Sequence, residues 1–122
     1  MPGYSFEDLE LYKSAREFRK EVFSLTKKLP SEEKFNLVSQ MRRAATSLTN
    51  NIAEGHGRYH FQENIRFLRQ ARGSLEELLD DLNICIDERY FAECEIDQLK
   101  VDDLRMDLFW SLQLIRQFSG IF

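Results

Sequence analysis

The densest polar chemistry in the chain lies in SLTNNIAEGHGRYH, residues 47–60. Asn50, Asn51 and Glu54 offer two amides and a carboxylate, a set that could hold a metal or a polar ligand. His56 and His60 stand four apart with Glu63 after them, and an i, i+4 histidine pair on a helix can grip zinc. Gly57 stands between the two histidines and interrupts the helix such a pair needs. Gly55-His56-Gly57-Arg58 lacks the preceding strand and the lysine of a phosphate loop. The plainer reading makes the stretch a structural corner: Asn51 and Glu54 near the end of one helix, and Gly55 and Gly57 in left-handed or extended conformations that end it.

The second conspicuous set is cationic. Arg42 and Arg43 are followed by Arg58 and by Arg66, Arg69 and Arg72, the last three stepping by three along one side of a helix. Arginines clamp phosphates and stack on bases, and Tyr59 and Phe67 lie near them in sequence. The competing reading pairs them with Glu54, Glu76, Glu77 or the acidic last helix. The chain offers many such partners: residues 1–72 carry 13 Lys+Arg against 9 Asp+Glu, and residues 73–122 carry 4 against 12. The net charge of −4 argues against avid non-specific DNA binding but leaves room for a local basic surface.

No Ser-His-Asp set, Cys-His pair or carboxylate pair has spacing that compels catalysis, so no catalytic residue, metal ligand, cofactor or small-molecule substrate is expected. Cys85 and Cys94 have no CxxC partner and read as reduced thiols of a cytoplasmic protein. No apolar run reaches the ~20 residues that cross a bilayer, and the first residues show no signal peptide.

The elements that position these residues follow from periodicity. Leu11, Ala15, Phe18, Val22, Leu25 and Leu29 form a heptad seam and predict a helix over 7–28, with Ser5 as N-cap and Pro30 as its stop. Val38, Met41, Ala45, Leu48 and Ile52 predict a second over 32–54, capped by Ser31. Leu68, Ala71, Leu75, Leu78, Leu82 and Cys85 predict a third over 61–88. Gly73 inside it implies a neighbouring backbone close by, since glycine there costs ~1 kcal/mol against alanine. A fourth is expected over 96–119, with Val101, Leu104, Leu108, Ile115 and Phe118 on one stripe. Met106, Phe109, Trp110, Leu112 and Leu114 fall outside that stripe. A helix apolar over so much of its circumference buries more than one face, so Met106, Phe109, Trp110 and Leu114 are the expected oligomer interface. The architecture expected is all-α: one domain over 1–122, an up-down-up-down antiparallel four-helix bundle.

Three blocks carry a resemblance: FEDLELYKSAREF (6–18), SQMRRAATSLTNNIAEGHGR (39–58) and ENIRFLRQARGSLEEL (63–78). In this order and spacing they resemble the four-helix-bundle protein family encoded in intervening sequences of bacterial 23S ribosomal RNA genes. QMRRAA, NIAEG and RFLRQARGS are the most specific parts, and the likeness fades in the fourth helix. The resemblance implies a cytoplasmic, non-catalytic homo-oligomer, a ring of five subunits, of undefined physiological role. It is also similar to the accessory protein of diversity-generating retroelements, which implies RNA or a ribonucleoprotein as a partner. The chain departs from the family pattern at Thr49, where proline is usual, and at His56, where an aromatic is frequent.

Overall fold

The computed structural model of the protein describes residues 5–58 and 60–119, with the side chains of all but the last two of these. Tyr59 and the side chain of Phe118 therefore lie outside the described residues. The described chain is all-helical: α1 (Glu10–Thr26), α2 (Leu37–His56), α3 (Phe61–Asp87), the short α4 (Glu93–Asp97) and α5 (Val101–Ser119), with no strand among the described residues. α2 packs against α1 and α3, and α5 against α3 and α1.

The seams read from periodicity are the core. Ala15, Phe18, Val22 and Leu25 of α1 are buried with Met41, Ala45, Leu48 and Ile52 of α2. Leu68, Ala71, Leu75, Leu78, Leu82 and Cys85 of α3 and Leu104, Leu108 and Leu112 of α5 complete it. Leu112 thus belongs to the inward stripe, one turn beyond Leu108, rather than to the outer face.

The helix ends differ from expectation for local reasons. Ser5 does cap, but it caps a 3-10 turn over Phe6–Asp8: its Oγ accepts from the Glu7 amide and the Asp8 carboxylate accepts from its own amide. Leu9 then turns extended, with ψ 130°, and α1 starts at Glu10 instead of 7. Ser31 opens a 3-10 turn over Ser31–Glu33, not α2. Lys34, Phe35 and Asn36 are all exposed, so no apolar face rewards helix there, and α2 begins only at Leu37, the first buried residue. The last helix is split in two. Lys100, at φ 54°, breaks the chain between α4 and α5, a left-handed turn taken here by a non-glycine residue.

Both glycine expectations at the corner are corrected. α2 runs through Gly55 to His56, and Gly57 caps it in the right-handed region at φ −77°, ψ −3°. Gly55 is needed for space rather than for φ. A Cβ there would sit 2.9 Å from Asn64 Oδ1 and 3.0 Å from Phe67 Cβ, so α2 and α3 approach through its missing side chain. The reverse holds at Gly73, which is exposed and has open space where its Cβ would be; no neighbouring backbone comes close.

Candidate nucleic-acid interface

The arginines divide among three places. The first is the junction of α1 and α2. Arg42 donates from Nε to Thr26 Oγ1 at 2.9 Å, and Arg19 donates from an Nη to Thr49 Oγ1 at 2.8 Å. Each threonine is buried and hands its own hydroxyl proton back to a carbonyl three residues earlier, Thr26 to Phe23 and Thr49 to Thr46. The two contacts are reciprocal, one arginine reaching from each helix to the other. They hold charged side chains with neutral oxygens, and no carboxylate lies within salt-bridge distance of Arg19, Arg42 or Arg43 among the described residues.

The Arg42 guanidinium also lies over the Phe23 ring, 4.8 Å from its centroid. Beside it opens a shallow groove of about 500 Å³ lined by Phe23, Arg42, Arg43, Thr46, Ser47 and Asn50. Exposed Arg43 makes one long hydrogen bond, 3.4 Å, to Ser39 within its own helix.

The second place is the start of α3. Arg58 and Arg66 both lie 5.0 Å from the centroid of the buried Phe67 ring, and Arg58 pairs with Glu54 at 3.7 Å. Glu54, in the last turn of α2, and Arg58, just beyond its cap, are thus an exposed local pair of small energetic weight, not a ligand set. Arg69 and Arg72 follow Arg66 along α3 and are exposed. The third place is α3 against α5, where Arg105 grips Glu76 with two bonds of 3.0 and 3.1 Å and reaches Asp102 at 3.7 Å. Here the acidic half does consume an arginine, but it is its own.

Asn51 is turned inward along α2, donating to the Ser47 carbonyl and hydroxyl at 2.8 and 3.0 Å, while Ser74 of α3 donates to the same hydroxyl at 2.9 Å. Asn51 thus bonds back into α2 rather than ending it, and the Ser74–Ser47 bond ties α2 to α3. His56 lines a cavity of about 220 Å³ with Leu9, Leu11, Ile52, Asn64, Leu68, Ser111, Leu114 and Ile115. His60 is the exposed N-cap residue of α3. No group of three metal-ligating side chains gathers among the described residues. Cys85 is buried with Sγ 3.9 Å from Met41 Sδ, and burial pushes its thiol up to about 11, so it is a core residue of low reactivity; Cys94 is exposed. No helix is long and apolar enough to cross a membrane among the described residues.

On α5, Met106, Phe109, Trp110 and Leu114 are 53%, 43%, 61% and 56% exposed, outside the stripe that buries Leu104, Leu108 and Leu112. Phe109 and Trp110 meet edge to face with ring centroids 5.4 Å apart.

Sequence reasoning passed over Arg19 and Thr26, marked Thr49 only as a departure from the family pattern, and passed over Asp81. The first three were visible as periodic shadows of the core. Arg19, Phe23 and Thr26 follow Phe18, Val22 and Leu25 by one position, and Arg42, Thr46 and Thr49 follow Met41, Ala45 and Leu48 likewise. Side chains one step off each seam meet at the helix junction. Asp81 had no such signal: it is 4% exposed on α3, and its Oδ2 has no hydrogen-bond partner.

A search of curated proteins returns no match. A family model described as the 23S rRNA-intervening sequence protein matches residues 7–104, which take in α1 through α4 and the first turn of α5. With four-fifths of its length inside that match and with QMRRAA and RFLRQARGS on the α2 and α3 just described, the chain belongs to the 23S rRNA-intervening sequence protein family.

Proposed function

We propose that the protein is a non-catalytic, cytoplasmic, homo-oligomeric four-helix bundle that associates with RNA or a ribonucleoprotein through its basic surface. The first three legs of an up-down-up-down antiparallel course, α1, α2 and α3, are supported by contacts in which numbering rises on one helix as it falls on the next. Arg19 meets Thr49 while Thr26 meets Arg42; Met41 meets Cys85, Ser47 meets Ser74, and Gly55 abuts Asn64.

The observation that carries the assembly is the exposed cluster of Met106, Phe109, Trp110 and Leu114. A side chain of tryptophan size left 61% in water forgoes much of the transfer free energy its burial would release, and covering four such residues on a partner recovers it. The pentameric ring comes from the family resemblance. Light scattering on the full chain should give several times 14.5 kDa. The double variant Phe109→Asp, Trp110→Asp should run as a folded monomer, and a wild-type monomer at micromolar concentration would refute the assembly.

RNA association is supported by the arginines of α1, α2 and α3 that have no carboxylate within salt-bridge distance among the described residues. The other reading, a protein-interaction scaffold, draws on the Arg58–Glu54 and Arg105–Glu76 pairs, where arginine serves only the protein itself.

A further inference from the structure

We propose that the groove between α1 and α2 is a nucleotide-recognition site for single-stranded RNA, in which a base stacks on the Arg42 guanidinium and Arg43 neutralises the adjoining phosphate. The inference rests on the RNA reading above and specifies where and how it acts.

Three observations converge on it. The Arg42 guanidinium is a fixed plate: Phe23 lies against it at 4.8 Å and Thr26 holds its Nε at 2.9 Å, with Thr26 itself locked by the Phe23 carbonyl. A planar cation held over an aromatic ring and lining an open groove presents a flat surface with little ordering entropy left to lose. The groove wall then supplies base-edge chemistry, with Asn50 carrying both donor and acceptor and Thr46 a hydroxyl. Finally, Arg43 stands exposed beside it with no carboxylate partner among the described residues, so a phosphate meets an unneutralised cation.

This chemistry favours a single strand. A duplex hides its base faces in the stack, whereas an unpaired base can splay onto an arginine plane. An acidic peptide would satisfy Arg43 but leave the stacked plate unused. Thr26 is a positioning residue here, since it acts through Arg42.

The test uses the full chain and a fluorescein-labelled ten-nucleotide oligo(A) RNA, with binding followed by anisotropy from low to moderate salt. Arg42→Lys keeps the charge but loses the plate. It should weaken binding about tenfold while leaving the salt slope unchanged. Arg43→Gln should lower the slope by ~0.7 log units, one counterion contact. Arg72→Gln, on the far part of α3, should leave the affinity of the groove nearly intact. Inorganic polyphosphate should compete more weakly per charge than RNA.

Wild-type protein that binds no RNA at low salt refutes both readings. RNA binding that Arg42→Lys leaves unchanged, or polyphosphate competing equally per charge, overturns the stacking site and leaves the RNA reading standing. A change of oligomer mass in Arg42→Lys also overturns it, because the groove would then be a contact between subunits. The polyphosphate arm needs no variant, so it decides the matter even if a substitution harms folding.

Discussion

The α2–α3 seam and the outer face of α5 are built on opposite plans. Along the seam, large residues are fully buried, small ones admit close approach at Gly55, and Ser47, Asn51 and Ser74 satisfy one another's polar atoms. On α5 the largest side chains point the wrong way for a soluble monomer, with Trp110 more exposed than buried. The seam has little left to gain from a partner, and α5 has most of its outer face to gain. Under the proposed assembly, folding and association use different surfaces of one small chain, and substitutions should separate them.

The largest effect is expected at the seam. Gly55→Val places atoms against Asn64 and the Cβ of Phe67, and neither the α2 nor the α3 backbone can yield cheaply. Chemical denaturation should show a loss of about 3 kcal/mol, and an unchanged midpoint would show that the helices are not in close approach there.

A second test concerns Asp81, the one charged residue buried in the seam's helix. Burial first, and then the neighbouring charges of Glu77 and Asp80, raise its carboxyl from 3.8 to about 6. The folded state therefore keeps a proton that the unfolded state has already released. Its contribution is full below pH 4 and is lost as pH rises through about 6. Asp81→Asn should flatten that dependence and stabilise the protein at pH 7 by on the order of 2 kcal/mol. Denaturation midpoints at pH 4.5 and pH 7 measure it, and equal loss of stability at both would contradict the buried, proton-holding carboxyl.

Gly73 provides the smaller contrast with Gly55. It lies within α3, exposed, with open space at its Cβ, so Gly73→Ala should stabilise by about 1 kcal/mol through helix propensity alone. A destabilised Gly73→Ala would mean that something packs there in the assembly. Smallest of all should be the intrinsic cost of Trp110→Ser, within about 0.5 kcal/mol at limiting dilution. The same change should abolish any rise of the wild-type melting temperature with protein concentration.

Much of this was legible in the sequence because heptad spacing states directly which side chains face inward: nearly every seam residue of α1, α2 and α3 is buried. What was not legible depends on what lies across a gap. Gly55 and Gly73 look alike in sequence, yet one is a contact and the other is open surface. The break at Lys100 carries no glycine or proline to announce it. Ser31 has the chemistry of a cap, but the three exposed residues after the turn it opens give helix nothing to pack on. The spacing of the arginines does not say what each one meets: Arg19 and Arg42 on threonines, Arg58 and Arg66 over Phe67, and Arg105 on Glu76 are told apart only by what lies across from them.

The most direct measurement is light scattering on the full chain with oligo(A) RNA, run from 50 mM to 1 M salt. The α5 face is apolar and the groove ionic, so the two interactions should part company. The account predicts a mass several times 14.5 kDa at every salt concentration, with RNA carried at low salt and released at high salt. A chain that is monomeric throughout, or an oligomer that falls apart as salt rises, would contradict it.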